Sequence, residues 1–256
     1  MTLHFKRAGS GSPIVLLHGL FGSLDNLGMI ARHLSKHFDV ISMDLPDHGL
    51  SARTKHFSYA QYAQWVVDTI THLGLAQPVL LGHSMGGKVA MHLALHYPSV
   101  VSKLIVADIA PVSYSSRHDA VFAGLQAVTL DKLRSRKDAE ALMAQHINDP
   151  GVIQFLLRSL SRNDRNQFEW RFNLALLLRD YALLSDGIMH DVPFQPPTLF
   201  IKGGESQYIT SAHRTIIQQL FPNAAAKIIQ GTGHWLHAEK PVIFSKLVVD
   251  FIGSHE

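Results

Sequence analysis

Ser84 stands in the run Gly82-His83-Ser84-Met85-Gly86, between the apolar segment Pro78 to Leu81 and a helix-forming stretch that carries Gly87 and Ala90. A serine on a sharp strand-to-helix turn has strained backbone angles. Glycines two residues to either side are therefore needed to avoid clashes, and Oγ projects above the sheet as a nucleophile in search of a base. The same turn sets the Met85 amide at the positive end of the following helix. A second glycine-rich run, His18-Gly19-Leu20-Phe21-Gly22, follows the first buried strand, where the backbone can fold close to the nucleophile and leave amides unpaired. The Leu20 and Met85 amides together would form an oxyanion hole, worth about 3 kcal/mol of barrier per donor. Near the carboxyl end, Gly231-Thr232-Gly233-His234-Trp235 follows the last strand. On that glycine-flexed loop His234 can reach the serine hydroxyl as general base and later as general acid. With 17 histidines in the chain, most must be structural or solvated. His234 is preferred to His237 for its place at the strand exit. His83 reads as structural, its side chain turned away from Ser84, and His18 as a support of the oxyanion loop.

These groups lie far apart in sequence, so a scaffold must gather them. Short apolar runs alternate with amphipathic segments, the pattern of parallel strands linked by helices. Strands are predicted over residues 14–17, 40–43, 79–81, 104–107, 198–201 and 227–229, and helices over 26–36, 59–73 and 88–97, with Ser58 capping the second. Right-handed crossovers would bring the strand ends, and the loops that carry chemistry, to one edge of the sheet. From Pro111 to about Asp191 no strand-like run appears. Apolar residues fall there at helical spacing: Val121, Phe122, Leu125 and Val128, then Val152 to Leu160, then Phe168, Phe172 and Leu176. The expected fold class is α/β, a mostly parallel sheet flanked by helices. A helical cap over residues 111–191 would be inserted into a core of residues 1–110 and 192–256, with Pro193 and Pro196-Pro197 as the hinge back.

Composition narrows the function classes. A chain of 256 residues, 46% apolar and 17% charged, can bury a substantial core as one globular domain. Its net charge of +3 is too small to argue for nucleic acid or a membrane surface. The lack of cysteine excludes disulfides, thiolate metal sites and a cysteine nucleophile. Met1 to Ser10 has no apolar secretory core, and no apolar stretch approaches a membrane span, so a cytoplasmic location is the expectation. The chemistry requires no metal or organic cofactor. The expected partner is a small-molecule substrate, and the protein could be a monomer or a homodimer.

His18-Gly19, Asp44-Leu45-Pro46 with Gly49 and Ser51, Gly82 to Gly86, and Gly233-His234 together resemble the α/β-hydrolase superfamily over essentially the whole chain. In that superfamily the carboxylate that orients the histidine usually follows the penultimate strand in a Gly-x-x-Asp pattern. Here the segment reads Gly203-Gly204-Glu205-Ser206, so Ser206 occupies the acid's place. A neutral hydroxyl cannot stabilise an imidazolium as a carboxylate does, and losing that carboxylate can cost about 10⁴ in rate. Asp108, at the exit of the preceding strand, is the first candidate to carry the charge. Glu205 is its rival, turned differently by strand alternation. Asp44 comes third, because Asp44 to Gly49 looks like a turn-stabilising element.

Gly82 to Lys88 combined with Asp108-Ile109-Ala110-Pro111-Val112 is similar to the YbfF-like bacterial esterases and their mitochondrial relatives. That resemblance implies a small cap, cleavage of short esters and activity on acyl-coenzyme A thioesters. It also implies an acid after the sixth strand with a serine in the usual acid's place, which matches Asp108 and Ser206. The expectation is a serine hydrolase of short-to-medium acyl esters, and of acyl-CoA thioesters, working through an acyl-enzyme on Ser84. Carbon–carbon bond hydrolysis, a lyase step, or ligand binding without catalysis are the alternatives on the same fold. Phosphate recognition in a coenzyme A substrate would need a cation at the mouth. Arg117, Arg158, Arg162, Arg165 and Lys88 are available, although each reads first as part of a solvated helix face.

Overall fold

The computed structural model describes residues 1–253. A seven-stranded sheet runs through it in the order β1-β3-β2-β4-β5-β8-β9. The strands are β1 (Phe5–Ala8), β2 (Pro13–Leu17), β3 (Asp39–Met43), β4 (Val79–His83), β5 (Leu104–Ala107), β8 (Thr198–Gly203) and β9 (Ala224–Ile229). Only β1 is antiparallel to its neighbour; the rest pair in parallel. Alternate residues of the central strands supply two separate cores. Val15, Leu17, Leu80, Leu104, Val106 and Phe200 face one side, while Ile14, Leu16, Leu81, Ile105, Leu199 and Ile201 face the other. Burial of both faces is why these strands read as continuous apolar runs rather than as alternating ones.

Helices cover the two faces. α2 (Tyr59–His72) and α3 (Met85–His96) pack through Tyr62, Val66, Val89 and Leu93 on the first. α1 (Gly28–Leu34) and α9 (Pro241–Gly253) pack through Ile30, Leu34, Phe244 and Val248 on the second. Ser58 caps α2 as expected, its Oγ accepting from the Gln61 amide at 3.3 Å. The loops after β2, β4, β5, β8 and β9 all leave the carboxyl ends of parallel strands, so they share one edge of the sheet.

Two elements depart from the sequence reading. β1 is an edge strand with three exposed residues, and its polar Lys6 and Arg7 give no apolar signal. Arg7 is held instead by a two-pronged ion pair with Asp39 at 2.7 and 2.8 Å. Between β5 and β8 the chain is mostly helical: α4 (Asp119–Ala127), α5 (Arg136–Met143), α6 (Pro150–Leu157), α7 (Leu174–Arg179) and α8 (Tyr181–Ser185). The expectation of no strand there is wrong, because β6 (Leu160–Arg162) and β7 (Phe168–Trp170) form an antiparallel hairpin. Leu160 and Phe168 therefore belong to strands and not to helical stripes. The Asn163 side chain closes the turn by accepting from the Arg165 and Gln167 amides, and Asn166 takes a left-handed φ of 61°. Turn chemistry of this kind overrides periodicity over so few residues.

Candidate active site

Ser84 directly follows β4, and its φ of 53° and ψ of −122° carry the chain into α3. A β-carbon on Gly82 would lie 2.2 Å from the Gly86 carbonyl oxygen. One on Gly86 would lie 2.4 Å from the carbonyl oxygens of both Leu17 and His18. No side chain fits at either position, so Gly82 allows the turn to close on itself and Gly86 allows it to nest against the end of β2. The Ser84 amide donates to Ala107 O at 2.9 Å, which fixes the turn to β5.

The loop after β9 brings His234 to this serine. Its Nε2 is 2.9 Å from Ser84 Oγ and its Nδ1 is 2.7 Å from Asp108 Oδ2. An ionised carboxylate only accepts, so Nδ1 carries the proton and Nε2 is left to accept from the serine hydroxyl. Asp108 follows β5 directly, is fully buried, and adopts a left-handed φ of 53°. Its carboxylate receives three donors: His234 Nδ1, the Gly203 amide at 3.0 Å on Oδ1, and the Ser206 hydroxyl in a short bond on Oδ2. Ser206 Oγ in turn accepts from the Tyr208 amide at 3.2 Å. A buried charge needs this degree of satisfaction.

The structure thus brings Ser84, His234, Asp108 and Ser206 into one hydrogen-bonded chain. The rival carboxylates lie outside it. Glu205 is exposed. Asp44 accepts from His4 Nδ1 and from the Leu24 and Leu50 amides, at 2.7 to 2.9 Å, so it clamps its own turn.

Leu20 and Met85 flank Ser84, and neither backbone amide has a hydrogen-bond partner among the described residues. Two buried histidines pin the loop that carries Leu20. His18 Nε2 accepts from the Leu45 amide at 3.0 Å while its Nδ1 donates to Gly19 O at 2.8 Å. His48 Nε2 accepts from the Phe21 amide at 3.2 Å and its Nδ1 donates to Pro46 O at 2.9 Å. Burial holds both below the usual histidine range, His48 at about 3 with the neighbouring His18 as a further cause. They are neutral, each using one acceptor and one donor. His83 donates from Nε2 to the His234 carbonyl at 2.9 Å, so it steadies the loop that carries His234.

Ser84 opens on two cavities. One, of about 260 Å³, is lined by His234, Trp235, His237, Phe155 and Val152 among others. The other, of about 40 Å³, is bounded by Met85, Lys88, Ile109, Tyr59 and Tyr114. Sequence reasoning missed Tyr208, whose ring stacks on His234 at 4.0 Å and 24°, and His118, which borders both cavities. Tyr208 lies two residues after Ser206, and that spacing was its only available signal. Arg117 is exposed at the mouth but is no freely solvated cation, since its guanidinium sits 4.9 Å over Tyr208 and 5.2 Å over Tyr114. Lys88 is not on a solvated face at all. It is buried, donates to the Ser185 carbonyl at 3.0 Å and to that of Asp186, and is lowered to about 8 by burial against the opposing pull of Asp186. Arg158, Arg162 and Arg165 are exposed and border neither cavity.

The model of the alpha/beta hydrolase family matches residues 14–247. The chain belongs to that family. Over 91% of its length it is 44% identical to esterase YbfF of Escherichia coli, covering 89% of that protein. It is 36% identical to the mouse sn-1-specific diacylglycerol lipase ABHD11, with 93% of this chain and 80% of that one covered. A solved structure described as a marine microorganism esterase superposes with a TM-score of 0.95 at 35% identity, over 98% of this chain and 99% of that one. By family the chain is a hydrolase, and these relatives carry the names of carboxylic ester hydrolases. Among the described residues no helix is long and apolar enough to cross a membrane.

Proposed function

We propose that the protein is a serine esterase that cleaves short-to-medium acyl esters, and acyl-CoA thioesters, through an acyl-enzyme on Ser84. The observation that carries the reading is the chain of contacts from Ser84 Oγ to His234 at 2.9 Å and on to Asp108 at 2.7 Å. Ser84 Oγ attacks the ester carbonyl while His234 Nε2 takes its proton, and Asp108 stabilises the imidazolium that forms. The Leu20 and Met85 amides receive the oxyanion. Collapse of the tetrahedral intermediate expels the alcohol or thiol, protonated by His234, and leaves Ser84 acylated. Water then loses a proton to His234 and adds to the acyl carbonyl. Ser84 departs with that proton, and the carboxylic acid is released. Ser206 is a positioning residue, acting on the histidine through Asp108. For a coenzyme A thioester, Arg117 at the mouth is the cation available to a phosphate.

Hydrolysis of a p-nitrophenyl ester series from acetate to palmitate, beside acyl-CoA thioesters, tests this with wild type and Ser84→Ala. Turnover that falls with chain length and vanishes in Ser84→Ala is expected. No Ser84-dependent turnover on any of them would overturn the reading.

A further inference from the structure

Resting on the esterase reading, the two cavities at Ser84 are not equivalent. The leaving alcohol must be protonated by His234, so it departs on the side where His234 lines the wall. That is the 260 Å³ cavity, which His234 and Trp235 border and Met85 does not. The 40 Å³ cavity has Met85 and Ile109 in its wall but not His234, so it falls to the acyl group. It is much the smaller of the two, so a short acyl chain suits it best.

The leaving-group cavity holds one buried polar side chain with nothing to do. His18 and His83, which also line it, are both engaged by backbone groups. His237 is 4% exposed, its ring packs 4.3 Å from that of His83, and neither ring nitrogen has a partner among the described residues. Nδ1 is sealed from solvent, so Nε2 is the ring nitrogen left free to serve the cavity that His237 lines. Burial holds His237 at about 3, so the ring is neutral and has a single proton to place. An orphaned buried N–H is rarer than an orphaned lone pair, which puts the proton on Nε2 and the idle lone pair on Nδ1. The cavity therefore presents an N–H donor without a partner in a largely apolar and aromatic wall.

We propose that His237 selects the alcohol half of the substrate, donating from Nε2 to an oxygen carried by the leaving group. The preferred substrates are then short-acyl esters of oxygen-bearing alcohols, such as glycol and polyol esters, rather than of plain alkanols.

The test compares 2-methoxyethyl acetate with butyl acetate, which differ by one ether oxygen in place of a methylene. Each specificity constant, measured by pH-stat, is divided by the ester's hydroxide-catalysed rate to remove intrinsic reactivity. Wild type should prefer the ether ester by about tenfold, the worth of one hydrogen bond. His237→Leu should bring the ratio near 1, with the loss in KM, because the bond exists in ground and transition states alike. His237→Gln, which keeps an N–H, should restore most of it, and His237→Phe replaces the leucine variant if that one does not fold. A wild-type ratio near 1, or a ratio of about ten that survives removal of the imidazole, overturns the proposal while leaving the esterase reading intact. Failure to cleave either ester overturns both.

Discussion

Replacing Asp108 by asparagine keeps the shape of the buried site and removes its charge. The cost follows from the donors that converge there. Oδ2 accepts from both His234 Nδ1 and Ser206 Oγ, and Oδ1 accepts from the Gly203 amide. An asparagine has one oxygen. Turned toward Gly203, it aims its NH₂ at the proton on His234 Nδ1, and the imidazole escapes that clash only by moving its proton to Nε2. The base can then no longer receive the proton of Ser84. Turned the other way, the NH₂ opposes the buried Gly203 amide, and the loop must shift. The expected loss of kcat is about 10⁴-fold, or about 5.4 kcal/mol of barrier. Ser206→Ala removes only one donor to the carboxylate, worth about 1.5–3 kcal/mol for a bond to a charged group, so the loss should be ten- to a hundredfold. Ser206 acts through Asp108, so the double variant should be no slower than Asp108→Asn alone. Stopped assays of p-nitrophenyl acetate turnover, with fluorophosphonate labelling of Ser84 to count folded sites, read all three. A larger loss in Ser206→Ala than in Asp108→Asn would refute the assignment.

Two further outcomes follow from packing and burial. Gly86→Ala places a methyl group 2.4 Å from two backbone oxygens. It should lower stability by about 1–3 kcal/mol, read as a depressed thermal midpoint, and cut Ser84 labelling as the turn lifts from β2; an unaltered midpoint would refute the close-packing argument. Acid should destabilise the protein well before its carboxylates titrate. His48 and His237 stay neutral when folded, at about 3 each, but charge when unfolded. Below about pH 6.5 the unfolded chain therefore binds more protons, and stability falls as pH drops toward 3. At pH 5 each histidine costs about 2 kcal/mol relative to neutral pH. Urea midpoints at pH 7.5 and 5.0 measure the drop, and His237→Leu should shrink it by about that amount; an unchanged drop would sink the idea.

Much of the candidate site's arrangement was legible because it depends on local geometry that leaves a local trace. The glycines around Ser84 are dictated by clashes within a few residues, and those before His234 by the tight exit from β9, so each appears as a short pattern. The central strands were equally visible, since burial on both faces makes them apolar throughout. The edge strand β1 was not, because exposure removes the apolar signal and leaves only the Arg7 to Asp39 pair to mark it. The β6–β7 hairpin escaped for a different reason. Three residues per strand are too few for any period, and Leu160 and Phe168 happen to continue the spacing of neighbouring helices. Lys88 misled because its helix position looks solvated until the end of α8 and the residue after it fold over it.

Asp108 shows why order along the chain is a poor guide to a parallel sheet. Ser206 and Asp108 are 98 residues apart in sequence, yet their side chains are hydrogen-bonded. They leave adjacent strands, β5 and β8, whose last registered pair is Ala107 with Ile201. Neighbouring strands lie about 4.8 Å apart, so a carboxylate can move across one strand and, with a suitable turn, present its oxygen to the same imidazole. The left-handed φ of Asp108 makes that turn, and the Asp108 amide bonding Ile201 O at 2.8 Å locks it to β8. Ser206 then serves the carboxylate in place of being one. In the proposed mechanism His234 requires a negative oxygen at a fixed point in space, and here it comes from the exit of the strand beside the one that Ser206 follows.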